Sequence, residues 1–127
     1  MCDIDPDNHY LNDTSNTIIN KYFDINTFNN TFSTKDEFTI FLLNMRSLPE
    51  HFRELTTYLD CLNTKFKVIA LTETWLKEWH TSYTIPNYNF EQEFRHKMRG
   101  GGVALYLHNS LQYTLRDDLK LTKLLKN

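Results

Sequence analysis

Two apolar runs with a helix signal between them constrain this chain most. Residues 38–45 read FTIFLLNM, a continuous apolar stretch of strand length, as expected of a strand buried on both faces. SLPEHFRELTTYLDCLN follows. Ser47 with Glu50 three residues later fits a capping box, and Pro49 falls in the first turn. Phe52, Leu55, Leu59 and Leu62 recur at helical spacing, which predicts a helix over 48–62 with one apolar face. FKVIALTETWL then opens as a second buried strand over 66–73. Strand, amphipathic helix, strand is a βαβ unit, whose strands run parallel with a right-handed crossover.

The rest of the chain is less regular. Residues 77–99 read as loop, given Pro86, the Asn/Tyr content and the mixed charges of EQEFRHKMR. Gly100, Gly101 and Gly102 are the only glycines, and they lead into VALYLHNSLQY, whose alternation predicts a strand. Residues 112–116 are a candidate second strand, paired with it through a turn at Asn109-Ser110. The tail LKLTKLLKN suits a short helical turn or a frayed end. Residues 1–36, rich in Asn, Asp and Thr, read as a mostly disordered head with a short helix around 15–24. Within it, Ile18, Ile19, Tyr22, Phe23 and Phe28 offer one weak apolar face.

The length of 127 residues suits one small domain. The net charge of −2 is unevenly spread: residues 1–37 hold seven acids and two bases, and residues 38–127 hold nine acids and twelve bases. An acidic head on a mildly basic body argues for two regions with different jobs, but the body is too weakly basic to mark a nucleic-acid binder by charge alone. Cys2 and Cys61 form no ligand pattern. The acidic N-terminus is no signal peptide, and no run approaches a membrane span. A soluble, intracellular protein without membrane contact is the expectation.

Both strands of a parallel βαβ unit end on one edge of the sheet, where ligands bind. Asn44 ends the first strand and Glu73 the second. Strands lie about 4.8 Å apart, so this amide and carboxylate can converge on one ion or phosphate. A single carboxylate is a typical magnesium attachment, since the ion keeps several waters. The plainer reading is that Glu73 caps a turn or pairs with Arg46.

Four blocks in order, LLNMRSLPEHFRELTTYL, VIALTETWL, IPNYNF and RGGGVALYL, resemble the endonuclease of non-long-terminal-repeat retrotransposons. That enzyme belongs to the endonuclease/exonuclease/phosphatase family, which is deoxyribonuclease I-like and apurinic-endonuclease-like. The resemblance covers residues 38–119 and implies an α/β fold: a truncated portion of a deoxyribonuclease I-like sandwich, one βαβ unit plus a following strand pair. The corresponding division is a head at 1–36, the N-terminal part of the domain at 37–119, and a divergent tail at 120–127.

The resemblance implies that Glu73 is the ligand of a magnesium or manganese ion and that Asn44 helps organise the metal and phosphate site. It implies DNA as the partner. Arg99 with Gly100, Gly101 and Gly102 matches a turn near the substrate groove, although a plain turn before a strand accounts for the glycines equally well. Arg95, His96, Lys97 and Arg99 can meet backbone phosphates or form a solvated loop. Trp75 and Trp79 read as packing or loop anchors, and His51, His80 and His108 fit no ligand pattern.

The family's general base is an Asp in a later GDFN-like block, and its phosphate-binding His follows an Asp or Ser-Asp. The chain contains neither GDFN nor an Asp-His pair, nor the Tyr-Arg-Pro-Pro type of segment. Asp117 and Asp118 lie in what reads as a surface turn. The expectation is a fragment of a metal-dependent DNA endonuclease that is inactive alone. Its counterpart is a missing C-terminal half, or a partner at an exposed sheet edge. The competing class is a small non-enzymatic α/β interaction module.

Overall fold

The computed structural model describes residues 20–32, 37–80, 83–93 and 100–119. Two helices and one four-stranded sheet make up its regular structure: α1 (Ile25–Thr31), β1 (Ile40–Asn44), α2 (Leu48–Cys61), β2 (Val68–Thr72), β3 (Tyr88–Glu93) and β4 (Val103–His108). A short 3-10 turn, Asp117–Leu119, follows. The strand order is β1-β2-β4-β3.

The βαβ unit forms as its sequence dictates. β1 and β2 are parallel neighbours, in register from Ile40 opposite Val68 to Asn44 opposite Thr72. α2 starts where the capping signal places it, with the Ser47 hydroxyl accepting the Glu50 N–H. Its apolar stripe lies on one face of the sheet. Leu48, Leu55 and Leu62 are buried there with Ile69, Leu71, Ala104 and Tyr106, and Phe41, Phe52, Leu59 and Phe90 pack around them. Burying each large aliphatic side chain stabilises the fold by about 1.5–3 kcal/mol.

The remainder departs from expectation in four places. β1 is not buried on both faces: Ile40 is 59% exposed and Leu42 70%, on the side of the strand turned away from α2. Residues 88–93 are a strand, not loop. Tyr88 and Phe90 turn to the α2 side while Asn89 and Glu93 stay exposed, and the ladder to β4 decides the matter where composition argued against it. Residues 112–116 form no strand; β4 has β2 and β3 as neighbours, which leaves no free edge for them. The strand pair after the βαβ unit is therefore β3 with β4. Along β4 it is Ala104 and Tyr106 that face the core, while Val103 and Leu105 are exposed.

The fourth departure is in the head. Residues 20–24 of the helix expected around 15–24 are not helical, residues 15–19 lie outside the described residues, and a helix stands further on, at α1. The Asp24 carboxylate accepts the Thr27 N–H at 2.6 Å, which caps α1 and lowers the Asp24 pKa from its ordinary value. Seven residues are too few to hold a helix alone. Tertiary contacts support it: Phe28 stacks near Phe66, and the Asn29 side chain bonds the Cys61 carbonyl and the Asn63 N–H, each at 2.8 Å. Residues 1–19 and the tail 120–127 lie outside the described residues.

Candidate functional site

The C-terminal ends of β1 and β2 are laced together beyond their last strand residues. Met45 N–H donates to Thr72 O, Ser47 N–H to Glu73 O and Leu48 N–H to Thr74 O, at 2.9, 2.9 and 2.8 Å. The lacing continues across to β4, with Thr74 N–H donating to Gly102 O and Trp75 N–H to Gly101 O. Three chain segments thus meet at one end of the sheet.

That meeting forces unusual backbone. Arg46, Ser47, Glu73 and Trp75 all have positive φ, between 50° and 107°, and so do Gly100, Gly101 and Gly102. Each such non-glycine residue costs on the order of 1–3 kcal/mol, and such strain clusters at functional sites. The glycines take these angles without a Cβ penalty. Gly100 has a second constraint: a Cβ there would stand 3.2 Å from the indole nitrogen of Trp75. Trp75 therefore anchors the turn, and the glycine run is sufficiently explained as backbone structure.

Glu73 sits at the centre of this cluster. Its left-handed backbone, φ 50°, accompanies a side chain directed to Asn44. Asn44 Nδ2 donates to Glu73 Oε1 at 3.3 Å, and Asn44 is exposed while Glu73 is half-buried. Arg46 is not the carboxylate's partner; the amide is. The two residues that strand-end position singled out are thus brought together. Arg95, Lys97 and Arg99, the proposed phosphate contacts, lie outside the described residues, as does His96.

The donor set at the strand ends is one carboxylate and one amide. Such a pair suits a hard, oxygen-seeking cation that retains most of its water. Among the described residues, no group of three or more His, Cys, Asp or Glu side chains converges on a point. The α2 N-terminus, close by, does not add an anion site. Leu48 N–H is taken by Thr74 O, Glu50 N–H by the Ser47 hydroxyl and His51 N–H by Ser47 O, and Pro49 has none.

Thr74 was not visible as a site residue in the sequence. It is fully buried beside Glu73, and its hydroxyl has no hydrogen-bond partner. A buried hydroxyl left so costs roughly 1–3 kcal/mol. Only its neighbour Glu73 drew attention to this position, and hydropathy carries no signal for it.

The described histidines have local roles. His51 approaches Glu54 at 3.5 Å, His80 Nδ1 accepts the Lys77 N–H, and His108 Nδ1 lies 2.9 Å from the Ser110 hydroxyl. Asp118 is paired with Arg116 on the surface, at 2.8 Å. No helix among the described residues is long and apolar enough to cross a membrane. The chain matches no protein-family model, no curated protein and no solved structure.

Proposed function

We propose that these 127 residues carry the metal-binding side of a DNA phosphodiesterase of the retrotransposon-endonuclease kind, and that they do not cleave DNA by themselves. The observation that supports this reading is the Asn44–Glu73 pair at the ends of two parallel strands, inside a cluster of strained backbone. Glu73 would hold a magnesium or manganese ion, which would supply charge neutralisation to the phosphate and the leaving oxygen. Asn44 orients that carboxylate and offers its amide to a phosphoryl oxygen. The sequence holds neither the GDFN block nor the Asp-His pair that would supply the base, and loss of a general base typically costs about 10²–10⁴-fold in rate.

Isothermal calorimetry with magnesium and with manganese tests the reading. The chain should bind either ion weakly, and Glu73→Gln should bind it more weakly still. Identical isotherms for the two proteins would remove the metal site, and the functional reading with it.

A second reading has its own support. Ile40 and Leu42 expose apolar surface on a strand at the border of the sheet, as expected of a small α/β interaction module rather than an enzyme.

A further inference from the structure

We propose that the free edge of β1 is the docking site for an extended peptide segment in which aliphatic residues alternate with lysine or arginine. This rests on the interaction-module reading and names the class of partner.

The first observation is the edge itself. β1 is the outermost strand, paired only with β2 among the described residues. Thr39 O and Met45 N–H face β2, so by the alternation of a strand the N–H and C=O groups of Ile40, Leu42 and Asn44 face outward. Exposed edges are ordinarily guarded by charge or proline. The opposite edge, β3, carries Glu91 and Glu93. β1, IFLLN, carries neither charge nor proline. An unguarded edge selects another extended backbone, which completes its hydrogen bonds.

The second observation is the groove beside that edge. It has a volume of about 560 Å³ and runs between β1 and α2. Phe41 and Leu43 form the strand wall; Leu55, Tyr58, Glu54 and His51 form the helix wall. A strand laid on β1 points every second side chain into this groove. Its floor is apolar, which suits aliphatic stems. The one charged side chain on its rim besides His51 is acidic: Glu54 is 79% exposed, with His51 Nδ1 3.5 Å away, Glu50 flanks the same histidine just outside the groove, and no lysine or arginine lines the groove. Long cationic side chains satisfy both at once, with stems on Leu55 and Tyr58 and heads at Glu54. The intervening aliphatic residues extend the open face beside Ile40 and Leu42.

The test uses the full chain and three eight-residue peptides, alternating valine with lysine, with glutamate or with serine. Binding is read by fluorescence anisotropy and by amide chemical shifts. The valine-lysine peptide should bind and shift the Ile40, Leu42 and Asn44 amides. Leu42→Pro removes an outward N–H that no strand among the described residues uses, together with the exposed leucine side chain, and should weaken binding by roughly tenfold or more. Glu54→Lys, on the exposed helix surface, should weaken it about fivefold and should not alter folding. A valine-lysine peptide N-methylated at alternate residues blocks the edge from the ligand side and should fail to bind, whatever the fate of Leu42→Pro. If the serine or glutamate peptide binds as tightly and shifts the same amides, the basic partner class is wrong while the docking edge stands. If no peptide shifts those amides, both are wrong. A dimer of the chain alone that Leu42→Pro abolishes would give the edge to a second copy and overturn the proposal.

Discussion

Asn44 and Glu73 lie 29 residues apart in the chain and meet side chain to side chain, with Nδ2 3.3 Å from Oε1. Their meeting follows from register: Asn44 faces Thr72 across two parallel strands, and Glu73 is the next residue on. The positive φ of Glu73 accompanies its approach to Asn44.

Catalysis is the sharpest consequence. On the proposed reading, in which Glu73 acts without a partnering base, purified chain with magnesium or manganese should nick supercoiled plasmid no faster than a Glu73→Ala control. Gel analysis of relaxed against supercoiled DNA reads this directly. Nicking that depends on Glu73 would show that another residue, or a second copy, supplies the base.

The glycine turn should be intolerant of side chains for backbone reasons. Gly101 has φ 73° and its carbonyl receives the Trp75 N–H. Gly101→Ala should cost roughly 1–2 kcal/mol by denaturant titration. Gly100→Ala should cost at least as much, because its methyl also presses on the Trp75 indole at 3.2 Å. A Gly100→Ala protein as stable as wild type would mean that the turn can relax away from Trp75.

Tyr106 predicts a pH dependence. The residue is fully buried and its hydroxyl donates to Tyr83 O. Burial first, and then the neighbouring Tyr83, push its pKa well above the ordinary 10.0. A raised pKa contributes stability that is whole below about pH 10 and is lost as pH rises towards the folded value. Tyr106→Phe should therefore cost about 1 kcal/mol at neutral pH through the lost hydrogen bond. Its stability should then fall less steeply than wild type in alkali. Some slope should remain, since burial raises Tyr88 as well. Parallel alkaline curves for the two proteins would exclude Tyr106 as the source.

Docking of α1 depends on Asn29. Asn29→Ala removes the bonds to Cys61 O and Asn63 N–H and should destabilise the docked helix by roughly 1 kcal/mol. Hydrogen exchange should quicken at the Asn63 amide and within α1, and stay unchanged in β2 and β4. Uniform acceleration everywhere would instead make α1 part of one cooperative unit with the sheet.

The sequence by itself determined the βαβ unit and the position of its two polar strand ends. Those features are local or periodic: a Ser47 cap, a helical apolar stripe, two runs of strand length, and a parallel topology that puts both ends on one edge. The convergence of Asn44 and Glu73 could be read from them without knowing any other contact. Tertiary structure decided the rest. Strand β3 exists because YNFEQE pairs with β4, although its polar composition argues for loop. Ala104 and Tyr106, rather than Val103 and Leu105, face the core, because alternation fixes a period but only the packing of α2 fixes which phase is inward. The same limit explains β1. An apolar run shows that a strand can be buried on both faces, and only its neighbours in space settle whether either face is covered.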